Sequence, residues 1–108
     1  MKENIIKDKS FEFALRIVQL FKFLQDKKEF VLSKQVLRSG TSIGAMIRES
    51  EHAESKADFI HKMAIAQKEA NETAYWLELL YKSEYLEKDT IEIQKLLSSI
   101  LITSKNKT

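Results

Sequence analysis

The sequence has no cysteine, no proline and only two glycines in 108 residues. Without cysteine there are no disulfides, no thiolate metal sites and no cysteine nucleophile. Such usage fits a reducing compartment. Without proline, and with both glycines in one segment, the turn chemistry that an all-β sandwich or an α/β fold requires is missing. No apolar run approaches the roughly 18 residues of a membrane span. Met1 to Ser10 is charged and lacks the apolar block of a secretion signal. These absences point to a soluble, cytoplasmic protein without a membrane partner. One-sided charge is lacking as well, since 18 Lys and Arg face 16 Asp and Glu. A net charge of +2 does not mark a nucleic-acid binder, although clustering on one face could still create a local positive field.

What is present reads as all-α. Hydrophobic residues make up 44% and charged residues 31%, enough for one packed core and too apolar for a disordered chain. The periodicity predicts four helices over about 11–27, 33–54, 56–84 and 90–104. Phe11, Phe13, Ala14, Ile17, Val18, Leu20, Phe21 and Leu24 cover half of the first helix. That arc is wider than a single core contact needs, so part of it, Phe13 and Leu20 included, is expected to serve a neighbouring subunit. Asp26-Lys27-Lys28-Glu29 reads as a turn, and Ser33 as the cap of the second helix. Ser55-Lys56-Ala57-Asp58 has capping-box spacing at the start of the third helix. Asp89-Thr90-Ile91-Glu92 looks like a further cap. Phe59, Ile60, Met63, Ala66, Ala70, Ala74, Leu77 and Tyr81 form the main stripe of helix three, while Ile65, Trp76 and Leu79 fall outside it. These three are expected at an oligomer interface. Short connections make successive helices antiparallel, in an up-down-up-down four-helix bundle.

The second helix is the most informative. Gly40, Gly44, Ser39, Thr41 and Ser42 weaken it in isolation, each glycine by about 0.8–1.0 kcal/mol against alanine. Close helix–helix contact along the Gly40/Gly44 face is the expected compensation. Ser39 and Ser42 are expected to bond backbone carbonyls one turn earlier, and Asn71 to form a buried polar link.

The string Leu32-x-x-Gln35-x-x-Arg38-Ser39-x-x-Ser42-Ile43-x-x-Met46-Ile47-x-Glu49 resembles the signature of a bacterial four-helix-bundle family. Its founding members are encoded by intervening sequences inside large-subunit ribosomal RNA genes. Asp58-Phe59-Ile60, Ala64-Ile65-Ala66, Lys68-Glu69-Ala70-Asn71-Glu72-Thr73 and Trp76-Leu77-Glu78-Leu79-Leu80 are similar to that family's third helix. Met46 departs from the pattern, which has Asn there, so a polar role for that position does not carry over. The resemblance implies a homo-oligomeric ring, of five subunits in the accessory variability determinant of diversity-generating retroelements. That relative associates with nucleic acid and a reverse transcriptase.

Arg38, Lys34 and Arg48 share one side of the second helix, and with Arg16 and Lys22 of the first they could form a basic stripe. Repeated around a ring, such a stripe would dock RNA or DNA phosphates. The other reading makes them solvated charges or partners of Glu49 and Glu12. No aromatic platform is evident beside them, so docking is expected to be weakly sequence-specific. Glu49/His52 and Asp58/His61 have the i,i+3 spacing of bundle metal ligands but flank a turn, so no metal or cofactor is expected. No phosphate loop or catalytic triad order is present. The chain reads as a non-enzymatic bundle that binds nucleic acid, with a protein–protein adaptor as the alternative.

Overall fold

In the computed structural model, which describes residues 2–86, 93 and 95–100, the chain forms α1 (Lys2–Asp26), α2 (Leu32–Ser50) and α3 (Lys56–Lys82), with a fourth helical segment over 95–100. No strand occurs among the described residues. The extents of 43 × 21 × 18 Å suit a stack two helices wide and two deep, since one helix with side chains measures about 10 Å across. The cap expected at Asp89-Thr90-Ile91-Glu92, and residues 90–92, 94 and 101–104 of the expected fourth helix, lie outside the described residues.

Burial follows a heptad with alternating steps of three and four. On α1 the buried positions are Ile6, Ser10, Phe13, Ile17, Leu20 and Leu24. On α2 they include Ser33, Val36, Gly40, Ile43, Ile47 and Ser50, and on α3 Met63, Ala66, Ala70, Thr73, Leu77 and Leu80. Ile93, Leu97 and Ile100 continue the same spacing. This is the repeat that packs helices knobs-into-holes in bundles. It explains why α1 begins at Lys2 and not near Phe11. Ile6 and Ser10 extend the seam, but the hydroxyl at Ser10 interrupts the apolar period that marks a helix in sequence. Phe13 and Leu20 sit on this seam and are buried in the chain's own core. They cannot also serve a second subunit.

The pairing along α1 and α2 is antiparallel. Gln25 Nε2 donates to Ser33 Oγ at 2.9 Å, Ile17 packs on Gly40, Ser10 on Gly44, and Lys7 meets Glu51 at 3.2 Å. Likewise Arg38 of α2 faces Glu69 and Glu72 of α3, and Glu49 lies 4.0 Å from Lys62. α2 is therefore the shared partner of α1 and α3. The fourth segment closes on α1 through Lys9 Nζ, which donates to Ser99 Oγ at 2.6 Å.

The helix ends are handled without glycine or proline. At the end of α1, Glu29 N–H donates to Leu24 O and Lys28 N–H to Gln25 O, both at 2.9 Å. Lys28 takes the left-handed conformation, φ 63°. Tyr85 N–H to Leu80 O and Glu84 N–H to Tyr81 O repeat the motif after α3, with Glu84 at φ 70°. Both are Schellman closures, whose left-handed residue is most often glycine. α2 starts one residue before Ser33, which is buried. The cap comes instead from Glu29, whose Oε1 accepts the Ser33 N–H at 2.7 Å, a carboxylate placed at the positive end of the helix. At α3 the expected cap is present: Ser55 Oγ accepts the Asp58 N–H at 3.0 Å, and Asp58 Oδ2 accepts the Glu54 N–H at 3.1 Å. That backbone bond holds the Asp58 carboxyl below its ordinary value. Partial desolvation opposes it, and Lys62 and His61 add to the lowering.

The two glycines make separable predictions. A Cβ on Gly40 would lie 2.8 Å from Ile17 Cγ1 and 2.9 Å from Cγ2, and a β-branched buried neighbour cannot rotate away. Gly40→Ala should destabilise by about 1–3 kcal/mol in urea unfolding. On Gly44 the nearest atoms, Ser10 O and Oγ, would be 3.4 Å away. Gly44→Ala should therefore be neutral, or stabilising by up to about 1 kcal/mol. The low pKa of Asp58 gives a third. Its contribution is complete at neutral pH and lost as pH falls below the ordinary carboxylate range. The stability gap between the chain and Asp58→Ala should be measurable at pH 7 and shrink below about pH 4.

Candidate nucleic-acid interface

The outer face of α2 carries Lys34, Arg38 and Arg48, all exposed, yet their surroundings differ. Arg38 reaches across to α3. Its Nη1 donates to Glu69 Oε1 at 3.2 Å and its Nη2 donates to Glu72 Oε2. Glu72 Oε2 also accepts from Trp76 Nε1 at 3.0 Å. Trp76 packs on the core and meets Tyr75 in a T-shaped arrangement, with ring centroids 5.1 Å apart. One guanidinium between two carboxylates leaves a local charge of about −1, so Arg38 does not present a positive site to a polyanion. The role expected for it as a phosphate contact is replaced by a clamp between α2 and α3.

A neutral link lies beside the clamp. Thr73 Oγ1 is hydrogen-bonded to Ser39 Oγ at 2.8 Å and to Glu69 O at 2.7 Å, with Ser39 and Thr73 both fully buried. Buried polar groups must be paired, and these two satisfy each other. Thr73 thus takes the part expected of Asn71, which is exposed. Ser42 Oγ donates to Arg38 O at 2.6 Å as expected, whereas the Ser39 hydroxyl is turned to Thr73. Glu72 is engaged with Arg38 and not with Lys68 of its own helix, the i,i+4 partner that spacing alone suggests.

The remaining cations are distributed around this clamp. The Arg48 guanidinium lies 5.0 Å over the Phe11 ring. Lys34 and Lys22 are exposed, and among the described residues neither has a carboxylate within salt-bridge reach. Arg16 is half-buried and already engaged. Of the residues expected at a subunit contact, Ile65 and Trp76 are half-buried and Leu79 is exposed. Phe11 and Leu15 of α1, and Ile60 and Tyr75 of α3, are among the large apolar side chains that are more open to solvent than these. Among the described residues no three His, Cys, Asp or Glu side chains converge on a common point. Glu49 faces Lys62, and Asp58 caps α3.

The clamp is testable through the single tryptophan. Glu69 is only 13% exposed at its side chain, so removing its partner strands a poorly hydrated carboxylate. Arg38→Ala should cost about 1–2 kcal/mol and shift the Trp76 emission. Arg38→Lys should recover only part of this, because one ammonium cannot fork between two carboxylates. Unchanged stability and emission in Arg38→Ala would show that the clamp contributes nothing.

Residues 2–104 match the model of a family described as 23S rRNA-intervening sequence protein. A crystal structure of a protein of unknown function from the S23 ribosomal protein family of Bacteroides thetaiotaomicron VPI-5482 is 56% identical. It superposes with a TM-score of 0.95, covering 97% of this chain and 99% of that one. No curated protein matches the chain. The residues of the helix-two and helix-three motifs, Arg38 and Ser39 with Glu69, Glu72, Thr73 and Trp76, are those that the fold joins into one network. The chain belongs to the 23S rRNA-intervening sequence protein family.

Proposed function

We propose that this protein is a non-enzymatic, self-associating bundle that docks nucleic acid, RNA in the first instance, through phosphate contacts with little base readout. The observation that carries this reading is how the cations are divided. Lys7, Arg38 and Lys62 are matched to carboxylates, while Lys34, Lys22 and the ring-backed Arg48 keep their charge open to solvent. In a homo-oligomer, a ring as the resemblance implies, each such set would be repeated, and multiplied phosphate contacts raise affinity without sequence preference. The family's tie to ribosomal RNA genes favours RNA as the first polymer to try.

The non-enzymatic part rests on where the polar side chains go. Ser42, Ser50 and Thr41 donate to carbonyls of their own helix, and Ser39 and Thr73 bind each other. No hydroxyl among these is held beside an imidazole. Self-association rests on the exposed apolar residues Phe11, Leu15, Ile60, Tyr75 and Leu79. Tyr75 and Leu79 also suit the alternative reading, an adaptor whose partner is another protein.

Titration of a fluorescein-labelled 20-nucleotide RNA tests the first reading. Affinity should fall by an order of magnitude or more between about 50 and 200 mM salt if several phosphates are neutralised. Lys34→Glu with Arg48→Glu should weaken it at least tenfold at low salt. Absence of binding at 50 mM salt, together with a native mass of a single 12.6 kDa chain, would overturn both halves of the proposal.

A further inference from the structure

We infer that the end of the bundle formed by the α1–α2 turn is a binding site for single-stranded nucleic acid, in which Phe30 stacks on a base while lysines hold the flanking phosphates. This rests on the nucleic-acid reading above and gives it a location and a strand preference. Lys22, Lys27, Lys28 and Lys34 are all exposed within one stretch of chain that folds back on itself. Gln25 and Ser33 are hydrogen-bonded at 2.9 Å, which brings the last turn of α1 against the first turn of α2. Among the described residues none of these four lysines has a carboxylate within salt-bridge reach. Of the two acids in the stretch, Glu29 is buried and spent on the Ser33 N–H, which leaves Asp26 as the acid at the surface.

The apolar residues here are not explained by folding. Phe23 is 43% exposed and Phe30 50%; the heptad seam of α1 passes Phe23 by, and Phe30 lies in the connection before α2. The two rings are in different states. Lys27 Nζ lies 5.5 Å over the Phe23 ring, so that face already carries a positioned ammonium. The Phe30 ring has no aromatic or cationic neighbour of its own among the described residues. An open phenyl on a turn that also carries unmatched lysines is the pairing that single-strand binders use, with stacking that tolerates any base and charge that follows the backbone. A duplex keeps its bases stacked inside and could use only the lysines. The expected outcome is therefore a preference for single strands.

The turn offers an unusual control. Lys28 holds φ 63°, a conformation that glycine adopts without steric cost. Lys28→Gly removes a charge while relieving the backbone, so any weaker binding would come with equal or greater stability and cannot be attributed to unfolding. The experiment uses the full chain with two probes, a fluorescein-labelled 12-nucleotide oligouridylate and a 12-base-pair RNA duplex. Phe30→Ala should weaken oligouridylate binding roughly fivefold to a hundredfold, as removal of one stacking platform does, and leave duplex binding and the salt slope unchanged. Lys27→Ala with Lys28→Gly should weaken both probes and lower the oligouridylate salt slope by about 1.4, or about 0.7 for each phosphate no longer neutralised. If both variants bind as the parent chain does, while Arg48→Glu binds more weakly, the site lies elsewhere and only this inference fails. If the parent chain binds neither probe at about 50 mM salt, the nucleic-acid reading fails with it. An equal drop in affinity for both probes in Phe30→Ala would overturn the stacking role.

Discussion

The approach of α1 to α2 at Gly40 sets the geometry of this bundle. Ile17 occupies the volume that a β-carbon would fill on the opposing helix, so the two backbones lie closer there than alanine would allow. Everything on α2 is placed by that contact. With one side of the helix pressed on α1, the opposite edge reaches α3, and the outer face is left to solvent. The hydroxyls around the glycines belong to the same design, because small residues keep the layer thin and their side chains bond inward or to their own helix.

The second attachment of α2 is chemically different. Against α1 it relies on shape; against α3 it uses Arg38 between two carboxylates and the Ser39–Thr73 pair. The ion pair is half open to water, where such contacts contribute little by themselves. Its weight comes from geometry: a forked donor meeting two acceptors spaced three residues apart fixes how the helices slide along each other. Trp76 bonds the same Glu72 and carries the network to the core. Polar pairs within an apolar seam are a known means of setting helix register.

These commitments reshape the electrostatics of the surface. A row of cations along a helix looks like a polyanion site only while their partners are unknown. Once Arg38 is neutralised from α3, the larger group of unmatched cations is at the end of the bundle, with Arg48 standing apart over Phe11. There, exposed lysines on α1, on the turn and on α2 share one stretch of chain with an open phenyl ring. The field is produced by juxtaposition across a turn, and no single helix carries it.

The bundle itself is legible in the chain. Absence of proline and cysteine, helical periodicity, the Ser55–Asp58 cap and the close contact at Gly40 all follow from local residue chemistry, which acts over a few residues and can be read in order. The true start of α1 is hidden because Ser10 stands on a seam where small and polar residues are tolerated only by virtue of what faces them. Phe13 and Leu20 resemble residues of a subunit contact because the width of an apolar arc does not say which half is buried. What only the tertiary structure decided is which charges are matched, that Thr73 and not Asn71 is the buried link, and that Phe30 is left open to solvent. Ion pairing and burial depend on distances between residues some thirty positions apart, and a single chain's sequence carries no measure of those distances until the helices are packed.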